Sequence, residues 1–266
     1  MNFCIKDELK FTILKSKNLK DTYIKKHSNS KHSIDDIIDE ILYFLKSGVS
    51  WRMLRSKIPY KTLYWHYSLW VKNNVFRKLF HKIKNKYIKK YITDNCTLLV
   101  DSTTINNKNG INKVARNKFY KNKKITKVSL LSDSNGFPLS IFFMKGNYHD
   151  NSVFLKHIKD ATIMLPKKNL KVMADKAYSS KENYDFLENN NIKHIIPPRN
   201  NMKIAKTYTY DKKEYIKRIK IEHIFGRLKM FRRINDRQDK LLRNFSGFCF
   251  LAFSIIGANI FNKLNN

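Results

Sequence analysis

Acidic residues are scarce in this chain. Across 266 residues, 21 Asp and Glu stand against 54 Lys and Arg, a formal net charge of +33. Such self-repulsion destabilises a compact chain unless something anionic neutralises it, so RNA, DNA or an anionic membrane is the expected partner class. Much of the excess is Lys, accompanied by abundant Asn and Ile, a pattern that biased base composition in a gene would also produce. Cysteine is sparse too. Cys4, Cys96 and Cys249 lie far apart without a Cys-x-x-Cys spacing, which argues against a disulfide framework or structural zinc and fits a reducing, intracellular compartment. The N-terminus lacks a sustained apolar core with a small-residue cleavage site, so no secretory signal is expected. The most apolar stretch, residues 245 to 261, is slightly short for a membrane span and holds Ser246, Ser254 and Asn259. A buried C-terminal helix is the expectation there, and no membrane partner. A Gly-x-x-x-x-Gly-Lys-Ser/Thr loop is absent, which disfavours a P-loop ATPase. Gly-x-Ser and Cys–His combinations lack the strand-turn-helix setting of a nucleophile elbow.

Apolar residues make up 42% of the chain and aromatics 13%, enough for a proper core. Residues 1–33 read as a basic, weakly patterned leader. From Ser33, a capping box with Asp36 opens a helix whose Ile34, Ile37, Ile38, Ile41, Leu42 and Leu45 share one face, with Gly48 at the C-cap. The short segment Ser50-Trp51-Arg52 follows. Leu63, Tyr64, Tyr67, Trp70 and Val71 then mark one helical face, and after an Asn73-Asn74 break Val75, Phe76, Leu79, Phe80 and Ile83 mark another. Residues 34–95 therefore form a helical module, either a helix-turn-helix or an ordinary bundle that merely packs.

After residue 95 short apolar runs take over: Leu98-Leu99-Val100, Val128 to Leu131 and Ile141 to Met144. The last two flank Asp133-Ser134-Asn135-Gly136 and read as a hairpin. A helix near 152–163, a strand at Leu170 to Ala174, a helix near 181–189 and a strand at His194-Ile195-Ile196 come next. Helices at 212–233 and 244–262 close the chain. For 96–266 this order predicts an α/β fold, a mixed five-stranded sheet flanked by helices.

Asp101 ends one apolar strand and Asp175 another, at the strand edge where open α/β sheets collect ligands. Each alone also reads as a helix cap or turn former. Together on neighbouring strands they point to a cation, because adjacent like charges are costly without one. On the later helix Tyr215, Arg218, Glu222 and Lys229 fall in one stripe, while Ile221, Ile224, Phe225 and Leu228 take another side. An Arg218–Glu222 i,i+4 pair on a solvated face is the plainer account of that stripe. Three carboxylates on a basic chain suit Mg²⁺ chemistry on phosphodiesters, in which two ions serve the attacking and leaving oxygens. Arg218 and Lys229 would hold phosphates beside them. His149-Asp150 is either an auxiliary polar pair near this site or a local turn.

These residues resemble a known family. Tyr215-x-x-Arg218-x-x-x-Glu222-x-x-x-x-x-x-Lys229 looks like the Tyr-(2)-Arg-(3)-Glu-(6)-Lys signature of bacterial insertion-sequence transposases of the four/five superfamily. Val100-Asp101-Ser102-Thr103, Asp133-Ser134-Asn135-Gly136-Phe137-Pro138-Leu139, Gly146-Asn147-Tyr148-His149-Asp150 and Ala174-Asp175-Lys176-Ala177-Tyr178 agree. Gly48-Val49-Ser50-Trp51-Arg52 resembles the Gly-x-x-Trp-Arg segment of the family's helical module. The resemblance runs from about residue 34 to the C-terminus.

It implies a ribonuclease-H-like catalytic domain at 96–266, with Asp101, Asp175 and Glu222 as catalytic residues and ligands of two Mg²⁺ ions, Mn²⁺ being the substitute. It implies metal-dependent cleavage and strand transfer at the terminal inverted repeats of the element. Double-stranded DNA is then the partner, contacted by Tyr215, Arg218, Lys229 and Lys127, with a homo-oligomer pairing the ends in the nucleoid of a bacterial cytoplasm. Two departures stand out: residues 1–30 match poorly, and a basic, glycine-containing segment appears here as Lys121-Asn122-Lys123-Lys124-Ile125-Thr126-Lys127, without glycine. The rivals are a nuclease of the same fold, which would cut without joining, and a domesticated, non-catalytic DNA-binding protein.

Overall fold

The computed structural model describes residues 2–24, 32–165 and 168–266; part of the leader, 25–31, lies outside them. Five helices come first: α1 (Ile5–Leu14), α2 (Lys17–Ile24), α3 (Ile34–Ser47), α4 (Tyr60–Lys72) and α5 (Val75–Tyr91), with a 3-10 turn at Trp51–Met53. Strands β1 (Asn95–Asn107), β2 (Ala115–Asn117), β3 (Lys123–Asp133) and β4 (Pro138–Lys145) follow. Then come α6 (Phe154–Met164), β5 (Asn169–Ala174), α7 (Lys181–Asn189) and β6 (Lys193–Ile195). The chain closes with α8 (Lys212–Tyr215), α9 (Ile219–Lys229), α10 (Arg232–Asn235), β7 (Asp236–Arg237) and α11 (Leu242–Asn265). These elements gather into two compact units. One holds Met1–Lys86, Asn106–Asn112 and Arg227–Asn266, and the other Tyr87–Ile105 and Lys113–Gly226.

In the first unit, α3 carries the expected capping box: Ser33 Oγ accepts from the Asp36 N–H at 3.1 Å, and the Asp36 carboxylate accepts from the Ser33 N–H at 3.3 Å. Helices α1 and α2 occupy most of the weakly patterned leader. They bury only a few side chains, Leu9, Ile13 and Leu19 among them, too few for a strong periodic signal. What holds the leader lies 259 residues away in sequence: the Asn262 amide brackets Phe3, accepting from its N–H at 2.6 Å and donating to its carbonyl at 2.9 Å.

Helix α11 is long and apolar enough to span a membrane, yet it is largely buried inside this unit. Phe248 stacks on Tyr67 at 4.1 Å, and Phe44 stacks on Trp51 at 3.8 Å. The Arg233 guanidinium lies 4.5 Å from the Phe44 ring centre and donates to Asp239 at 2.8 and 3.2 Å, both side chains buried. Gly48, at φ +69°, ends α3; a Cβ there would stand 2.8 Å from the Arg232 carbonyl carbon. Gly48→Ala combines a left-handed backbone with that overlap, so a loss of about 2 kcal/mol in urea unfolding is expected.

The sheet runs β2-β3-β1-β5-β6, with β4 on β3 and β7 on β1. All five strands expected from sequence are present; β2 and β7 add three and two residues, too short to show a pattern. β3 and β4 pair antiparallel, while β1–β5 and β5–β6 are parallel, so the sheet is mixed. Leu98, Leu99 and Val100 are buried, as a central parallel strand requires. The turn between β3 and β4 is tied by Asp133, which accepts from the Asn135 and Phe137 N–H groups at 3.0 and 2.8 Å and from the Tyr87 hydroxyl at 2.5 Å. The helix expected at 212–233 is broken into α8, a 3-10 turn at Ile216–Arg218, α9 and α10.

Candidate active site

Parallel register fixes the first pair of carboxylates. Val100 of β1 lies opposite Ala174 of β5, so Asp101 stands beside Asp175, with about 4.8 Å between the strands. Asp175 follows the end of β5, whereas Asp101, expected to end its strand, lies within β1, which runs on to Asn107. Asp101 accepts from the Ser102 N–H at 2.8 Å through Oδ1 and from Arg218 Nη1 at 2.9 Å through Oδ2. Burial pushes the Asp101 carboxyl up to about 6; the Ser102 N–H and Arg218 oppose this, and Asp175 adds to it. Asp175 caps the 3-10 turn Lys176–Tyr178, accepting from the Ala177 N–H at 2.8 Å. The capping role and the place at the strand edge coexist.

Glu222 reaches this edge through one cation. Arg218 Nη2 donates to Glu222 Oε1 at 2.7 Å while Nη1 holds Asp101, so one guanidinium bridges carboxylates from a strand and a helix. The i,i+4 pair is therefore real and also part of the site. Ile221, Ile224, Phe225 and Leu228 are buried and Glu222 exposed, which separates the two sides of α9 as the spacing predicts. The Tyr215 hydroxyl donates to the Ala174 carbonyl at 3.4 Å, its ring 5.8 Å from the Arg218 guanidinium. Lys171 of β5 pairs with Glu214 of α8 at 2.7 Å. Lys229, in the last turn of α9, belongs to the first compact unit, and burial lowers its pKa.

Lys127 is buried in β3. Its ammonium donates to Asp150 Oδ1 and to the Tyr148 carbonyl, both at 2.9 Å, so its charge is engaged internally. Asp150 Oδ1 also accepts from Ser102 Oγ at 2.5 Å, which links the Gly-Asn-Tyr-His-Asp segment to the residue after Asp101. Asp150 further opens a 3-10 turn, so this segment is both a turn and a neighbour of the site. Gly146 makes the approach possible: a Cβ there would overlap the Ile125 side chain and lie 2.6 Å from the Ile125 carbonyl oxygen and 2.7 Å from that of Ala115. Gly146→Ala is expected to lower the melting temperature by several degrees through backbone overlap; a shift under one degree in calorimetry would contradict this.

Two residues escaped the sequence reading. Tyr178 is fully buried, and its hydroxyl lies beside Ser102, the residue after Asp101. Burial raises its pKa, and Asp101, Asp150 and Asp175 raise it further, which places the phenol among the three aspartates. Its only sequence signal is the spacing within Ala174-Asp175-Lys176-Ala177-Tyr178. Arg199 donates to the Lys176 and Ala177 carbonyls at 3.3 and 2.8 Å and so braces the turn after Asp175; Pro197-Pro198 gave no hint of it.

Asp101 and Asp175 offer hard oxygen donors, the set that Mg²⁺ and Mn²⁺ favour, and no thiolate or imidazole hydrogen-bonds to them among the described residues. Burial raises the Asp101 pKa and the neighbouring Asp175 adds to it, a cost that a divalent cation would offset. Among the described residues no three such ligand groups converge as they stand, because Glu222 is turned onto Arg218. By donor chemistry Asp101 and Asp175 fit such an ion, while Arg218 holds Asp101 and Glu222.

Residues 92–256 match the transposase DDE domain family. The chain belongs to that family. The match covers Asp101, Asp175 and Glu222. Among solved structures, this transposase is similar to the piggyBac transposase synaptic complex with hairpin DNA, at 12% identity and a TM-score of 0.58, over 97% of this chain and 73% of that one. This is a likeness of fold, and the transposase has the ribonuclease-H-like mixed sheet flanked by helices, with an N-terminal helical region. The catalytic domain of Mos1 mariner transposase matches at 12% identity over 70% of this chain and 91% of that one; its TM-score of 0.29 carries no argument. No curated protein matches the transposase.

The Asp101 shift has a consequence for stability. Its folded pKa of about 6 lies above the ordinary 3.8, so the native state holds more protons across that interval. The associated stability is present below about pH 4 and lost as pH rises through 6. Asp101→Asn removes the buried charge. At pH 8, without metal, it is expected to stabilise the protein by about 2 kcal/mol, with no gain at pH 4. Urea unfolding at the two pH values checks both the size and the sign.

Proposed function

We propose that this transposase cleaves and joins DNA at the terminal inverted repeats of its own insertion sequence, using Asp101, Asp175 and Glu222 as metal-binding catalytic carboxylates. The observation that carries this reading is the Arg218 bridge, 2.9 Å to Asp101 and 2.7 Å to Glu222, beside the strand-edge pair Asp101 and Asp175. When bound, Mg²⁺ or Mn²⁺ supplies the Lewis acidity for in-line phosphoryl transfer. Asp101 within β1 and Asp175 at the end of β5 would hold it, and Glu222, the most exposed of the three, would complete the set from α9. Arg218, freed from the carboxylates, takes a phosphate oxygen in a bidentate grip. Tyr215 contacts the same backbone, and Lys229 is a further DNA contact. Lys127 joins them only by exchanging Asp150 for phosphate.

In this reading residues 34–95 are the end-recognition module and 96–266 the catalytic part. Two or more copies pair the ends in the nucleoid of a bacterial host. The four/five insertion-sequence signature, Tyr215 through Lys229, supports that assignment. Metal ligation requires ionised Asp101, which burial disfavours, so cleavage should fall as pH is lowered, and less steeply at higher Mg²⁺, which competes with the proton.

The test is product mapping on DNA that flanks the gene, with purified protein and Mg²⁺. Cuts at repeated ends followed by joined products support the reading. Cuts that ignore the ends and never join favour the nuclease, and tight, salt-sensitive binding without cleavage favours the DNA-binding relic.

A further inference from the structure

We propose that the hairpin formed by β2 and β3 is a second DNA contact, in which the Phe119 ring inserts between stacked bases while its flanking cations hold the phosphates. The inference rests on the reading of this chain as a DNA transposase and adds a contact that this reading does not require.

Phe119 is 93% exposed. A phenylalanine so bare is unusual in itself, and its surroundings are more telling. Arg116, Lys118, Lys121, Lys123 and Lys124 are all exposed around it, and no Asp or Glu stands between Asp101 and Asp133 in the sequence. The bare Phe119 ring, with the less exposed Tyr120 next to it, among five cations matches the alternation of bases and phosphates along a DNA strand. It does not match a second copy of a chain carrying +33.

The hairpin is also held in shape. Asn117 is buried; its side chain accepts from the Phe119 N–H at 2.9 Å and donates to the Gly146 carbonyl at 2.5 Å. Arg116 donates to the Asn122 carbonyl at 3.2 Å. Lys121 and Asn122 both take left-handed conformations, at φ 50° and 54°, without glycine. Two non-glycine residues in that region are costly and persist where surrounding contacts fix them, as they do here. The ring is presented by a braced turn instead of a frayed loop.

Placement follows from the strand. Lys127, bonded to Asp150 beside the carboxylates, is four residues from Lys123 along β3, about 13 Å at roughly 3.3 Å per residue. The ring, beyond Lys123 in the turn, would therefore meet the duplex to one side of the cleaved phosphate. Base–aromatic stacking makes the contact sequence-tolerant, with the cations as its salt-dependent part.

The experiment uses the full-length chain and duplexes made from DNA flanking the gene, each carrying 2-aminopurine at one position. Wild type is expected to raise the fluorescence at positions on one side of the cut. Phe119→Ala should lose that rise and bind about tenfold more weakly, while Phe119→Trp retains both. Because the side chain is exposed, Phe119→Ala should melt with wild type; a clear fall in melting temperature would make the ring structural and overturn the inference. Benzoylphenylalanine at position 119 should crosslink to DNA, and at the exposed control Ile163 it should not. Unchanged fluorescence in Phe119→Ala with DNA still bound and cleaved overturns this inference and leaves the transposase reading intact. A crosslink from 119 to protein alone also overturns it. Failure of wild type to bind any of the duplexes overturns both.

Discussion

Asp101→Asn, Asp175→Asn and Glu222→Gln are each expected to lower Mg²⁺-dependent cleavage by about three orders of magnitude or more, with DNA affinity unchanged or slightly higher. The size follows from what each group does. A carboxylate that holds the metal cannot be replaced by a neutral amide without losing most of the transition-state charge stabilisation, and about 4 kcal/mol is a thousandfold in rate. Affinity should not fall, because each change removes a negative charge from a surface that binds polyanion. The three should also be non-additive, since residues that act as one unit fail together. Asp160→Asn is the control: that carboxylate accepts from Ser140 at 2.7 Å and has no place among the site residues, so cleavage should stay within about twofold. Single-turnover cleavage and filter binding measure both quantities. Retention of a tenth of wild-type rate in any of the three variants would remove that residue from the site.

Asp239→Ala should be among the most destabilising single substitutions outside the site. Asp239 and Arg233 are both buried and joined by two hydrogen bonds, and the Arg233 guanidinium also lies against Phe44 and Phe248. Removing the acid leaves a buried cation unpaired, a loss of about 3–5 kcal/mol and a fall of about 10 °C in melting temperature. Removing both charges with Asp239→Asn and Arg233→Met should recover most of it, because the penalty lies in the widowed charge more than in the pair. A loss below about 1 kcal/mol for Asp239→Ala would contradict this account of the helical core.

Local chemistry explains which parts of the structure were legible in sequence. Ser33, Asp36 and Gly48 delimit α3 because caps act within a few residues, and Asp133 through Gly136 mark a turn because glycine supplies the positive φ at 136. The apolar runs leading into Asp101 and Asp175, and their place on neighbouring strands, were legible; the continuation of β1 past Asp101 to Asn107 and the register of β1 against β5 were not. The same limit hid the leader helices, whose anchor is Asn262, and the buried placement of Lys127, whose partner Asp150 lies 23 residues away. Periodicity also gave one helix from 212 to 233. The chain breaks it at Ile216–Arg218, the turn that leads from Tyr215, tied to β5, into the helix that carries Glu222.

The most direct test of the central claim is anomalous diffraction from crystals of the protein with flanking DNA and Mn²⁺. The account predicts manganese peaks about 2.1 Å from carboxylate oxygens of Asp101 and Asp175, with Glu222 released from Arg218 and turned toward them. Manganese bound elsewhere, or Arg218 still bridging Asp101 and Glu222 with DNA and metal present, would contradict it.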